Sequence, residues 1–232
     1  MPESIQDGFL LIDKPAGMTS HDVIDYLRRL LKTRRIGHAG TLDPFATGLL
    51  LVGVGPKTKE LQQYVGLDKV YEATFVLGAT STTDDPEGVI SPLPYPREGL
   101  GEGLQTETIQ QAMKELTGEI QQIPPAYSAI KIKGKKMYEA AREGKPLGAP
   151  PRTVTIHSFD LIGPIGPIGP MPEGPISLRV RIHCGSGTYI RALARDLGAK
   201  LGVGGYVSEL RRTAIGPYTI DQAQPLQDVP AR

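Results

Sequence analysis

Hydrophobic and polar residues alternate most clearly in the C-terminal third of the chain. In residues 176–184, Ile176, Leu178, Val180, Ile182 and Cys184 fall on one face, and serine, arginine and histidine alternate with them on the other. A period of two is typical of a β-strand with one buried face. The pattern indicates a largely antiparallel sheet, because such sheets commonly expose one face to water.

Other apolar patterns predict the remaining elements. The continuous apolar run at residues 49–54 predicts a strand buried on both faces, and residues 8–13 and 70–77 predict two more strands. A helix is expected between Thr19, a candidate N-cap with Asp22 three positions on, and Lys32. Further helices are predicted at residues 106–117, before Gly144, and from about Tyr189. Strands and helices alternate irregularly, so the predicted class is α+β.

Three polar or glycine-rich stretches predict loops. Residues 80–88 are polar, and residues 91–103 are rich in proline and glycine. Residues 163–175 contain the triplets GPI, GPI and GPM, which are too few for a collagen-like helix and predict an extended loop between two strands. We therefore expect a single domain over residues 1–232.

The composition limits how the chain can bind nucleic acid. Its 26 basic and 25 acidic residues nearly cancel, so such binding requires local clusters of positive charge. The densest clusters are residues 28–35 and 131–136, and a third comprises Arg191, Arg195, Arg211 and Arg212. Taken singly, each run is more often a solvated face than a binding site.

Several classes of chemistry lack their sequence signals. The four histidines and the single Cys184 do not have zinc-site spacing, no carboxylate cluster matches a calcium loop, and neither a Walker nor a dinucleotide motif is present. We expect no metal and no cofactor. The lone cysteine and the absence of a signal peptide or an 18-residue apolar run predict a cytoplasmic protein without a membrane span.

One carboxylate stands in an unusual position. Asp43 lies in a stretch, residues 34–55, that contains Gly37, Gly40 and Gly48 and is fixed by Pro44. A rigid loop between arginines and a buried strand suggests chemistry on an anionic partner. An ordinary turn cap, or a pair with one of the preceding arginines, is the simpler interpretation.

Five stretches in order resemble the TruB-type tRNA pseudouridine synthases. They are GFLLIDKPAGMTSHDVI at residues 8–24, GHAGTLDPFATGLL at 37–50, KVYEATFVLG at 69–78, PPAYSAIKIKGKKMYEAAREG at 124–144 and CGSGTYIRALARDLGAKLGVGGYVSELRRT at 184–213. The resemblance implies a pseudouridine synthase fold, with a mostly antiparallel mixed sheet flanked by helices and loops and an RNA-binding cleft across it. It also implies isomerisation of uridine 55 in the T loop of tRNA.

The resemblance assigns roles to four candidate catalytic residues. Asp43 corresponds to the catalytic aspartate, and Arg191 to the arginine that pairs with it. Tyr71 corresponds to the tyrosine that stacks on the flipped uracil, and Tyr189 places a hydroxyl in the same cleft. Either Tyr189 or a water molecule removes the proton from C5.

The resemblance also assigns residues that contact RNA. His38 corresponds to a histidine that inserts into the T loop, although a loop histidine bonded to backbone is the alternative. Residues 124–150 correspond to a basic thumb that closes over RNA, and Asp85 aligns with an acidic position whose flanking residues depart from the family pattern. The predicted RNA contacts are His38, Lys14, Arg35, Lys131, Lys133, Lys135, Lys136 and Arg142.

The expected partner is the T arm of tRNA, bound by a monomer that needs no protein partner. The sequence ends about ten residues after GPYTI at residues 216–220. We therefore expect no separate C-terminal RNA-binding domain of the PUA type. Two alternatives remain: a non-catalytic tRNA-binding or tRNA-folding protein on the same fold, and a related enzyme that works with a guide RNA.

Overall fold

The computed structural model describes residues 7–93, 105–132, 134–167 and 175–231. Its strands and helices alternate irregularly, which confirms the α+β class. In chain order, the elements of the described residues are β1 (Phe9–Lys14), α1 (Ser20–Leu30), β2 (Ile36–Ala39), β3 (Thr47–Val54), α2 (Leu61–Val65), β4 (Lys69–Leu77), β5 (Ala79–Ser81), β6 (Ile90–Pro92), α3 (Thr106–Glu115), β7 (Gly118–Gln122), β8 (Lys131–Ile132), β9 (Lys135–Lys136), α4 (Met137–Arg142), β10 (Arg152–Leu161), β11 (Gly166–Pro167), β12 (Ile176–Cys184), α5 (Ile190–Lys200), β13 (Gly205–Ile215), β14 (Tyr218–Thr219) and β15 (Gln224–Pro225).

The described residues form two compact units. The first comprises the described parts of Met1–Glu72 and Leu210–Arg232, and the second is formed by those of Ala73–Glu209. Strands β4 and β13 each contribute residues to both units. The single domain expected over residues 1–232 stays a prediction.

The sheet of the first unit is mixed. Its strand order is β15, β1, β3, β13, with β2 beside β3 and β14 beside β13. β1 runs antiparallel to β3, whereas β1 with β15 and β13 with β3 are parallel pairs. β3 is buried on both faces as predicted: Leu50 and Val52 pack in one apolar cluster, and Leu49 and Leu51 pack in another.

Helix α1 begins where its sequence predicts. The Asp22 amide donates to the Thr19 hydroxyl over 3.0 Å, and the Asp22 carboxylate accepts from the Thr19 amide over 2.8 Å. This reciprocal capping box satisfies two amides that the helix itself leaves unpaired. The inward face of the helix buries Val23, Ile24 and Leu27.

The sheet of the second unit has the strand order β4, β12, β10, β7, with β11 beside β12. β10 runs antiparallel to both β12 and β7, and its register against β12 shifts between Ile156 and Ser158. The alternation predicted for β12 is confirmed, since Leu178, Val180 and Ile182 are fully buried.

Three segments predicted as loops contain short strands. Residues 36–39, within the loop expected around Asp43, form β2 against β3. The polar stretch at residues 80–88 begins within β5 of the β5–β6 hairpin. β11 lies within the glycine- and proline-rich stretch at residues 163–175, part of which falls outside the described residues. These strands are two to four residues long and are formed by backbone pairing, so the side chains carry little periodic signal.

The helices in the described part of the chain are all too short or too polar to cross a membrane.

Candidate active site

The loop that carries Asp43 connects β2 to β3 and is fixed by its neighbours. The Ser20 hydroxyl, at the start of α1, accepts from the Leu42 amide over 2.9 Å and donates to the Leu42 carbonyl over 3.2 Å. On the other side of Asp43, the Pro44 carbonyl accepts from the Gly17 amide over 2.9 Å. The half-buried Asp43 is therefore bracketed by two anchored residues.

Arg212 supports the same loop from inside the first unit. Its side chain is buried, and it donates to the carbonyls of Leu49, Gly40 and Thr41 over 2.8, 3.1 and 3.4 Å. Gly48 has a φ of +102°, and a Cβ there would overlap the Arg212 backbone. A glycine is thus required where β3 meets β13.

The position of Lys14 does not support its predicted contact with RNA. The residue is fully buried, and its ammonium group donates to the carbonyls of Pro15, Met18 and Pro44 over 2.8, 2.7 and 3.3 Å. Three carbonyl acceptors compensate for the burial of the charge. Lys14 therefore supports the turn that precedes α1 and Pro44, the residue that follows Asp43.

Arg191 projects from the first turn of α5 and pairs with Asp85. Its guanidinium lies 3.0 Å from the Asp85 carboxylate and donates to the carbonyls of Thr83 and Tyr127 over 3.0 and 2.9 Å. Arg191 and Asp85 are both buried, so their charges attract each other strongly. The same carboxylate accepts from the Glu87 amide over 3.0 Å, which fixes the turn that carries it.

One helical turn further along α5, Arg195 holds the neighbouring acid. Its guanidinium lies 3.0 Å from the Asp84 carboxylate and donates to the Ile123 carbonyl over 2.7 Å. Burial raises the pKa of Asp84, and the charges of Arg195 and Arg191 oppose that rise. Two arginines four positions apart therefore clamp two consecutive aspartates.

Tyr189 is the N-cap residue of α5, and a buried amide holds its backbone. Its amide donates to the Gln122 side-chain oxygen over 2.8 Å, and the Gln122 side-chain nitrogen donates to its carbonyl over 3.1 Å. The half-buried ring of Tyr189 lies against the Arg152 guanidinium, 5.6 Å from the ring centroid. Gln122 therefore fixes the start of the helix that presents Arg191.

The four predicted catalytic residues are divided between the units. Asp43 and Tyr71 belong to the first unit, where Tyr71 is a buried residue of β4, and Tyr189 and Arg191 belong to the second. The pairing of Asp43 with Arg191 stays a prediction. Sequence reasoning missed Asp84, although two acids in a turn and two arginines one helical turn apart signal complementary charge. It also missed Gln122, for which no sequence signal is apparent.

His38 lies on β2 and not in a loop. Its ring stands edge-on to that of His21, with centroids 5.6 Å apart. Burial, with smaller contributions from His21 and Arg212, lowers the pKa of His38 from 6.5 to about 4. Among the described residues its buried Nδ1 atom has no hydrogen-bond partner. The ring is thus neutral near pH 7, which favours stacking over charge pairing.

The predicted thumb contains the β8–β9 hairpin followed by α4. Lys131 and Arg142 are exposed, and the Arg142 guanidinium lies 5.5 Å from the centroid of the Tyr138 ring. Lys135 pairs with Glu143, and the Lys136 ammonium lies 3.2 Å from the Tyr138 hydroxyl. Lys133 lies outside the described residues. Arg35, the remaining predicted contact, is exposed just before β2.

Comparison with known proteins identifies relatives of the whole chain. A tRNA pseudouridine synthase B from Corynebacterium efficiens is 48% identical over 99% of this chain and 74% of its own length. One from Thermobifida fusca is 47% identical over 97% of this chain and 75% of its own length.

Solved structures give the same result for the fold. The chain is similar to one in a crystal structure of a Cbf5-Nop10-Gar1 complex, with 30% identity and a TM-score of 0.69. The match covers 97% of this chain and 54% of that one, so the chain spans about half its length. This similarity confirms the pseudouridine synthase fold predicted from the sequence.

Family descriptions match the two parts of the chain in order. Residues 28–190 match the N-terminal domain of the TruB family pseudouridylate synthases, and residues 191–232 match the tRNA pseudouridylate synthase B C-terminal domain. Together with the curated relatives, these matches are decisive. The chain belongs to the TruB family of pseudouridylate synthases.

Proposed function

We propose that this chain converts uridine 55 in the T loop of tRNA to pseudouridine. The observation that carries the proposal is the immobilised loop around Asp43, in a chain whose curated relatives are named tRNA pseudouridine synthase B. A carboxylate held at a fixed position suits chemistry at a sugar carbon, where a positive charge develops as the base leaves.

The reaction is an isomerisation and balances without a co-reactant. The bond between N1 and C1′ breaks, the uracil turns, and C5 bonds to C1′. The proton lost from C5 is replaced by one gained at N1. Asp43 acts at C1′, either as a nucleophile or by stabilising the positive charge. Because the atoms and electrons balance, the reaction requires no oxidant, metal or nucleotide.

Arg191 supplies the positive charge that keeps Asp43 ionised, and Asp85 holds Arg191 in place. The guanidinium is already oriented by one carboxylate and two carbonyls, so little reorganisation is needed during the reaction. Tyr71 stacks on the flipped uracil. Tyr189, whose backbone Gln122 fixes, places its hydroxyl near C5, where it or a water molecule removes the proton.

RNA binding uses local positive charge and the shape of the T arm. Lys131, Lys135, Lys136 and Arg142 of the thumb contact phosphates, and Arg35 does so just before β2. The neutral ring of His38 inserts into the T loop. We further propose that the protein works in the cytoplasm as a monomer, without a protein partner or guide RNA.

A single assay tests this function. The purified chain is incubated with an unmodified T-arm stem–loop in EDTA, without other RNA or protein, and pseudouridine is measured at the position of uridine 55. We expect complete conversion at that position. Binding without conversion would indicate a tRNA-binding protein. Conversion that depends on an added guide RNA and its proteins would indicate the guided enzyme.

A further inference from the structure

A basic groove lies at the C-terminal end of α1, and its last residue, Arg34, directly precedes the predicted RNA contact Arg35. It has a volume of about 540 Å³ and is lined by four basic side chains and one carboxylate. The lining residues are Asp25, Arg28, Arg29, Lys32, Thr33 and Arg34. Since the whole chain has a net charge of only +1, this concentration of positive charge is a local feature and not a reflection of composition.

The charges in the groove differ in how they are held. Arg28 is fixed, because it pairs with Asp25 over 2.9 Å and donates to the Ile36 carbonyl over 3.1 Å. The side chains of Arg29, Lys32 and Arg34 are exposed and make no hydrogen bond or salt bridge to any residue that the structure describes. One arginine is therefore neutralised within the protein, and three cations face solvent.

Helix α1 connects this groove to the candidate active site. Ser20, its first residue, is hydrogen-bonded to Leu42 of the loop that carries Asp43. The helix runs from Ser20 to Leu30, and 11 residues at about 1.5 Å each span roughly 16 Å. Because the helix is rigid and its first residue is hydrogen-bonded to the loop, the groove has a set distance from Asp43.

We propose that this groove binds the phosphate backbone of the substrate RNA at a distance from the modified nucleotide. The proposal rests on the proposed function, which places uridine at Asp43. A guanidinium group can donate two parallel hydrogen bonds to the oxygens of one phosphate, and a lysine ammonium adds a point charge. A folded RNA presents regularly spaced phosphates, so a second contact roughly 16 Å away fixes its orientation without reading its sequence.

The test compares two triple variants that remove the same number of charges. The groove variant carries Arg29→Gln, Lys32→Gln and Arg34→Gln. The control carries Lys59→Gln, Lys114→Gln and Arg179→Gln, whose side chains are exposed outside the groove. For each protein, the dissociation constant for unmodified tRNA is measured over a range of salt concentrations, and kcat and KM are measured on the same RNA.

We expect the groove variant to bind tRNA about tenfold more weakly and to release two to three fewer counterions. The slope of the logarithm of the binding constant against the logarithm of the salt concentration should therefore be shallower by about 2. KM should rise while kcat is retained. The control should match the wild type. A third variant, Arg29→Lys with Arg34→Lys, keeps the positive charges and should retain the salt dependence of the wild type. If these arginines served only to end α1, the salt dependence would not follow the charge.

The outcomes separate this inference from the proposed function. If the wild type converts uridine and the groove variant matches the control in affinity and salt dependence, the groove does not bind RNA and the proposal is wrong. If the wild type binds tRNA but does not convert it, the proposed function fails while the binding comparison still stands. Circular dichroism melting of all variants shows whether any loss of affinity reflects unfolding.

Discussion

At the scale of residues, the structure assigns internal roles to several basic side chains. Arg212 and Lys14 are buried, and both donate to backbone carbonyls around Asp43. Arg211 forms two hydrogen bonds with the Asp13 carboxylate, at 3.0 and 2.7 Å. Charge in the sequence is therefore a poor guide to RNA contact, because these residues stabilise the site that RNA is expected to reach.

At Gly48, β3 lies so close to β13 that there is no space for a side chain. Gly48→Ala should lower the free energy of unfolding by more than about 3 kcal/mol, since it adds an overlap with the Arg212 backbone to the strain of a positive φ. Gly17 has a φ of +81° but open space around it, so Gly17→Ala should lose only about 1 to 2 kcal/mol. Urea denaturation of both variants measures the difference. Equal losses would contradict the packing argument.

His38 should make stability depend on pH. The folded protein protonates His38 near pH 4, whereas the unfolded chain does so near 6.5. The unfolded state therefore binds the extra proton in this window, and stability falls as the pH is lowered through it. The loss is at most about 3 kcal/mol, and less where water reaches the ring.

A comparison of the wild type with His38→Asn isolates this contribution. The free energy of unfolding of the wild type should fall relative to that of the variant between pH 6.5 and pH 4. Nuclear magnetic resonance should show the His38 ring titrating near pH 4. A ring that titrates near 6.5 would mean that burial does not control its charge.

At the scale of elements, α5 organises the candidate functional residues of the second unit. Its N-cap is Tyr189, its first turn carries Arg191, and its second turn carries Arg195. Arg191 and Arg195 reach the turn that contains Asp84 and Asp85, and Gln122 at the end of β7 fixes the helix start. The position of the helix thus sets the positions of several functional groups together.

Gln122 tests this view, because in the described part of the chain its side chain hydrogen-bonds only to the backbone of Tyr189. Gln122→Met keeps the size of the side chain and removes both hydrogen bonds, so we expect a loss of about 1 to 3 kcal/mol in the free energy of unfolding and a reduced kcat. Gln121 is exposed and bonds Thr153, so Gln121→Met should change stability by less than about 0.5 kcal/mol. An unchanged kcat in the folded Gln122 variant would show that the clamp does not position the site.

Sequence reasoning succeeded where the residues show a regular alternation of apolar and polar side chains or a local hydrogen-bonding motif. The capping box at Thr19 and the alternation of β12 are both local, and both are confirmed. The double-sided burial of β3 followed from its apolar run. It failed for β2, which forms by pairing with β3 at positions 12 to 18 residues away. No signal in the sequence indicates that Lys14 is buried, and its contact with RNA stays a prediction.

At the scale of the whole molecule, the near-zero net charge conceals an uneven distribution. Lys14, Arg191 and Arg212 are buried, and Lys69 is buried with its ammonium group donating to the Val65 and Leu67 carbonyls. Among the described residues, the exposed cations Arg29, Lys32 and Arg34 lie together in the α1 groove, whereas Lys59, Lys114 and Arg179 are exposed elsewhere. RNA binding should therefore depend on a few local contacts and weaken steeply with salt.

The most direct test of the account is the chemistry of Asp43. Asp43→Asn keeps the size of the side chain and removes its charge, and Asp160→Asn is a matched control at an exposed position of β10. Single-turnover conversion of uridine 55 is measured on an unmodified T-arm stem–loop at saturating enzyme. We predict no detectable pseudouridine with Asp43→Asn, an RNA affinity within about threefold of the wild type, and full conversion with Asp160→Asn. Substantial conversion by Asp43→Asn would contradict the central claim that this carboxylate carries the reaction.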